Sequence, residues 1–135
     1  VSDDARDAAT WVTRRLTGWG AASLLAGAVL SRHASPAVRA FGQQSAGWGA
    51  VDLGIVGVSR ARRSSAPTAP ALRRVLVVNA ALDVGYVAVG ALVLLRRRPF
   101  GRRLDDEQAR GHGAAVVLQG LALLVLDASG AGRLG

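Results

Sequence analysis

Cysteine is absent from the 135 residues. Disulfide scaffolds, thiolate zinc sites, iron–sulfur clusters and cysteine catalysis are excluded with it. Lysine is absent too, so all 17 basic residues are arginine, and a Walker-type phosphate loop lacks its essential side chain. No His-Glu-x-x-His helix and no Gly-x-Ser-x-Gly elbow occurs, which removes the common zinc-protease and serine-hydrolase signatures. Charged residues make up only 19%, while 50% of the chain is hydrophobic, too apolar for a disordered protein.

What charge there is falls at intervals. The formal net charge is +8, a value that first suggests nucleic acid. The arginines, however, form short groups: Arg14 and Arg15; Arg60, Arg62 and Arg63; Arg73 and Arg74; Arg96, Arg97 and Arg98; Arg102 and Arg103. Between them, residues 16–31 carry no charge, residues 40–59 only Asp52, residues 75–95 only Asp83, and residues 111–132 only Asp127. A nucleic-acid-binding domain lays arginine along helix faces; here it marks the ends of apolar stretches, a membrane pattern. At ~1.5 Å per residue, about 20 residues cross the ~30 Å hydrocarbon layer.

Breaks fall between the stretches. Ser35-Pro36, the run Ser64-Ser65-Ala66-Pro67-Thr68-Ala69-Pro70, and Pro99-Phe100-Gly101 interrupt helix, and Asp105-Asp106-Glu107 supplies an acidic helix start. The expected fold is all-α, a transmembrane up-and-down four-helix bundle forming one domain over residues 1–135. Its helices fall near 11–31, 38–59, 72–95 and 106–127, with sequential neighbours antiparallel. Thr13-Arg14-Arg15-Leu16 resembles a twin-Arg export signal. Asp3, Asp4 and Asp7 ahead of it and Pro36 in the cleavage region oppose that reading. So does repetition: Gly18-Trp19-Gly20-Ala21 recurs as Gly47-Trp48-Gly49-Ala50, which makes the first stretch a mature helix.

Periodicity separates a membrane bundle from a soluble one. A soluble helix has a broad polar face. In the third stretch Asn79, Asp83 and Tyr86 are the only polar side chains, spaced i, i+4, i+7 within roughly 60° of arc. Gln44, Trp48 and Asp52 form a similar stripe in the second stretch, and Gln108, His112 and Gln119 in the fourth. Such stripes are expected to face one another. The candidate ligand- or ion-binding residues are therefore Asp83, Asn79, Tyr86, Asp52, Trp48, Gln44, His112 and Gln119. An Asp at mid-bilayer costs ~2.5–3.5 kcal/mol on the insertion scale, so it is retained for a proton, a cation, a ligand or interhelical hydrogen bonding. Arg14 or Arg15 is placed to pair with Asp127. His33 with His112 offers a bis-His haem arrangement that any bundle with two histidines meets easily, so no cofactor, no metal and no catalytic residue is assigned. Gly42, Gly47, Gly49, Gly54 and Gly57 give the second helix a small-residue face suited to close packing or to a homodimer.

Orientation is balanced. Arg6, Arg14, Arg15, Arg60, Arg62, Arg63, Arg73, Arg74 and Arg133 share one side, and the other eight arginines the opposite side. Near-balance occurs in dual-topology dimers such as small multidrug transporters, but the first helix lacks their membrane-embedded glutamate. A closer likeness is carried by Phe41-Gly42-Gln43-Gln44-Ser45-Ala46-Gly47-Trp48 with Asp52-Leu53-Gly54-Ile55, by Asn79-Ala80-Ala81-Leu82-Asp83-Val84-Gly85-Tyr86, and by Arg110-Gly111-His112-Gly113 with Val117-Leu118-Gln119-Gly120. Over about residues 38–127 the chain resembles an uncharacterised family, a domain of unknown function, of small bacterial four-span integral membrane proteins. The resemblance implies the fold and a bacterial inner-membrane location, and no activity. The expected function is a non-enzymatic binding, accessory or structural membrane module contacting lipid and not nucleic acid. The alternative is a proton- or ion-coupled transporter acting as a dimer. An intramembrane enzyme using Asp83 and His112 is the third reading.

Overall fold

Local signals start each helix. The computed structural model describes residues 3–62, 67–96 and 105–135. Its elements are α1 (Asp3–Leu30), α2 (Pro36–Ala61), α3 (Ala69–Arg96) and α4 (Asp106–Gly132), with no strand among the described residues. Ser35 caps α2, its side chain accepting from Val38 N, and Pro36 occupies the first turn, where its missing N–H is harmless. Thr68 Oγ1 accepts from Ala71 N at the start of α3. The acidic start of α4 is a capping box: Asp105 Oδ1 accepts from Gln108 N at 2.7 Å, and Gln108 Oε1 accepts from Asp105 N at 3.2 Å.

Two ends run further than expected. α1 begins at Asp3 rather than near residue 11, because Asp3 and Asp4 favour a first turn and Ala5 and Ala8 are buried. α4 continues past Asp127 to Gly132, since Gly130 and Ala131 are buried in the bundle. The expected break at Pro99-Phe100-Gly101, the linker residues 64–66, and Arg63, Arg97, Arg98, Arg102 and Arg103 lie outside the described residues.

Helix direction alternates. Gly27 of α1 lies against Gly42 and Ala46 of α2, and Gly20 against Gly49, so α1 and α2 are antiparallel. Gly90 of α3 meets Val117 of α4, while Gly113 meets Leu94. The neighbour order is not sequential. α4 sits between α2 and α3, and the backbones of α2 and α3 stay apart. The expectation that consecutive helices all pack together is corrected there: α2 packs on α4, its parallel neighbour. Small residues on two sides of α4 explain this. Gly111 lies against Ala37 and Ala40 of α2, and Gly113 and Gly120 admit the backbone of α3. The α2 glycines divide likewise: Gly42 and Gly49 are crossing points with α1, while Gly47, Gly54 and Gly57 face open space.

Small and polar side chains share the interior with Val56, Leu76, Val93, Leu123 and Leu126. Alanines fill the tightest positions, namely Ala5, Ala8, Ala40, Ala109 and Ala115, each no more than 2% exposed. The largest fully buried side chains are Gln119 and Asp52, at 1% each, whereas Leu25, Val29, Leu95 and Val125 are 66–76% exposed. By length and composition alone, two helices could cross a membrane, within Ala69–Leu95 and Asp106–Gly132. α1 and α2 fall short of that test; Arg6, Arg14 and Arg15 in α1 and repeated Gly and Ala in both dilute their apolar residues.

Candidate functional site

The interior polar groups form two tiers that differ in how well they are satisfied. The first tier joins helices. The Gln119 side-chain oxygen accepts from Trp19 Nε1 at 2.6 Å, and its amide nitrogen donates to Ser23 Oγ at 3.0 Å, tying α4 to α1. His112 Nδ1 donates to Gln44 Oε1 at 3.0 Å, tying α4 to α2. Trp48 and Tyr86 meet edge to face, ring centroids 5.1 Å apart, and bridge the gap between α2 and α3. The polar groups of Gln119, Trp19, Ser23, His112 and Gln44 thus find partners within the protein, as interhelical hydrogen bonding requires.

Gln119 is the keystone of this tier. Gln119→Leu keeps the volume and leaves Trp19 Nε1 and Ser23 Oγ without their partner. A loss of about 1–2 kcal/mol in unfolding stability is expected, read as a lowered thermal midpoint with a shifted Trp19 emission.

The second tier is acidic. Asp52 of α2, Asp83 of α3 and Asp127 of α4 are 1%, 3% and 7% exposed. The carboxyls of Asp83 and Asp127 come together where α3 packs on α4. Asp52 lies within electrostatic range of both. No arginine pairs with any of the three among the described residues. Among the described residues four buried polar atoms have no hydrogen-bond partner: Asp52 Oδ2, Asp83 Oδ2, Ser45 Oγ and Trp48 Nε1. An unsatisfied buried polar atom costs about 1–3 kcal/mol, so several within three turns of α2 and on the facing α3 are unusual for a packed bundle. No group of three or more His, Cys, Asp and Glu side chains among the described residues is arranged to hold a metal ion.

Of the candidates named from the sequence, Asp52, Asp83, Gln119, Gln44, His112, Trp48 and Tyr86 do meet across helices, Tyr86 while remaining 39% exposed. Asn79 does not: it is exposed on α3. The buried edge of α3 runs through Leu76, Asp83 and Gly90, a seven-residue repeat, and Asn79 stands roughly 40° to one side of it. The expected pairing of Asp127 with Arg14 or Arg15 is also corrected. Arg15 lies over the Trp11 ring, 4.4 Å from its centroid, and Asp127 turns inward to Asp83. His33 and His112 stay separate, since His33 Nδ1 accepts from Ser35 N in the exposed α1–α2 turn. The residue missing from the sequence-derived set is Asp127. Its signal was present: it is the lone charge of its stretch, as Asp52 and Asp83 are of theirs.

Residues 15–128 match the model of a family of unknown function, DUF6992. No curated protein and no solved structure matches the chain significantly.

Proposed function

The chain belongs to the DUF6992 family, and we propose that this member is an integral membrane protein, a non-enzymatic module whose interior holds a proton on the Asp83–Asp127 carboxyl pair. One observation carries the reading: acidic and amide side chains are buried while most of the large apolar side chains named here lie outside. Asp52 and Gln119 are 1% exposed, while exposed Val, Leu and Ile side chains run along every helix from Leu25 to Val125. In water such a surface would form an extensive sticky patch, and in lipid it is the ordinary solvent-facing side. The two most apolar helices are those that carry Asp83 and Asp127.

A proton suits the site because carboxyl groups that touch in a low-dielectric interior cannot both stay charged. The first tier already supplies interhelical hydrogen bonding. Asp52, Asp83 and their unpartnered oxygens are surplus to that role. Infrared spectroscopy of the full chain in detergent tests this directly. Near neutral pH the wild type should show a protonated-carboxyl stretch that shifts in D2O. Asp83→Asn should retain the fold, because the new amide can donate to Asp127, and should remove that band; Asp4→Asn, at an exposed position, should leave it. A fully ionised wild type would overturn the proton site, and a chain that stays monodisperse in buffer without detergent would overturn the membrane location.

A second reading, proton-coupled movement of a small molecule by a dimer, draws on the third carboxyl. Asp52 stands next to the pair, on a helix whose backbone is separated from α3. Proton flux in reconstituted vesicles that is abolished in Asp52→Asn would favour transport over a static proton site.

A further inference from the structure

At the end of the bundle where α1 begins and α4 finishes, Asp7, Thr10, Trp11, Arg14 and Arg15 of α1 and Arg133 beyond α4 line a cleft of about 600 Å³. Two of its guanidinium groups, those of Arg15 and Arg133, each lie 4.4 Å from the centroid of the Trp11 ring. Trp11 holds both by cation–π contact, and Gly130 sets the approach of the two helices by packing against Val12. Among the described residues none of Arg14, Arg15 and Arg133 is engaged in an ion pair. Three guanidinium groups face a single carboxylate, Asp7, so the cleft has an excess of two positive charges. We propose that this cleft binds a phosphate group, and that its occupant in the membrane is the phosphate of an anionic lipid headgroup.

Guanidinium forks match phosphate oxygens in pairs, and a fork already resting on an indole loses little freedom when the anion arrives. The Thr10 hydroxyl supplies a further donor at the cleft. The volume exceeds that of a bare phosphate and leaves room for the headgroup around it. Placement at headgroup depth rests on the membrane reading above: Trp11, Arg14 and Arg15 immediately precede the uncharged stretch 16–31, the level at which tryptophan and arginine anchor a spanning helix. The phosphate chemistry itself rests only on the cleft.

The test uses the full chain in neutral detergent with phosphatidic acid, phosphatidylcholine and inorganic phosphate as separate probes, read by native mass spectrometry and titration calorimetry. Phosphatidic acid should be retained and phosphatidylcholine should not. Arg15→Gln and Arg133→Gln should each weaken retention about tenfold, the equivalent of one charge-assisted hydrogen bond. Arg32→Gln, which removes the same charge from the exposed turn at the other end, should leave it unchanged. Competition by inorganic phosphate assigns the recognition to phosphate itself, and retention without competition assigns it to the lipid headgroup; both support the site. Equal losses in all three variants would reduce it to general charge attraction and overturn it. Binding of inorganic phosphate by a chain that needs no detergent would uphold the cleft and overturn the membrane reading, so the two fail separately.

Discussion

Val84→Arg should abolish accumulation of the protein in membranes. Val84 is 55% exposed and follows Asp83 near the middle of α3. On a water-exposed helix an arginine at such a position changes stability by no more than about 0.5 kcal/mol and improves solubility. At the centre of a spanning helix the same change costs ~3 kcal/mol of insertion free energy, about a hundredfold in the inserted fraction. Leu95→Arg, at a 76% exposed position one residue before the end of α3, should cost much less, because a long side chain near the interface can reach the headgroups. Fractionation of cells expressing the three proteins reads the gradient. Equal tolerance of both arginines would mean that these faces meet water.

The sign of this prediction follows from burial, yet its basis was visible in the residue pattern. The single aspartates of three apolar stretches, Asp52, Asp83 and Asp127, are all buried, and the sequence marks each by the absence of charge around it. The repeat of Gly18-Trp19-Gly20-Ala21 as Gly47-Trp48-Gly49-Ala50 proves to be one structural joint: Gly20 and Gly49 face each other where α1 crosses α2, and Trp19 and Trp48 turn from it toward α4 and α3. Neighbour order was not legible. Deciding that α4 separates α2 from α3 requires knowing that Gly111 points one way and Gly113 and Gly120 another, and a glycine in a helix leaves no mark on hydropathy. Asn79 misled for a related reason. An arc of polar residues fixes a direction only to within its own width, and the buried line on α3 lies at its Asp83 edge.

Because the packing depends on missing side chains, the bundle should be most sensitive where nothing polar is involved. A Cβ on Gly27 would fall inside contact distance of Ala46 N, and would lie 2.6 Å from Gly42 O and 2.8 Å from Ala46 Cα. All three are backbone atoms of α2 and cannot rotate away. Gly27→Val must therefore force α1 and α2 apart, separating the crossing that also aligns Gly20 with Gly49 and, through Trp19 and Ser23, the Gln119 network. A loss of about 3 kcal/mol is expected, the upper end of ordinary overpacking, with a lowered thermal midpoint and perturbed tryptophan emission. Gly47→Val is the matched control. Gly47 has open space around it, so the same side chain should change stability by no more than ~0.5 kcal/mol. If Gly47→Val is instead the more damaging of the two, the open face of α2 is covered in the native state, and the covering surface is the first place to look for a second copy of the chain.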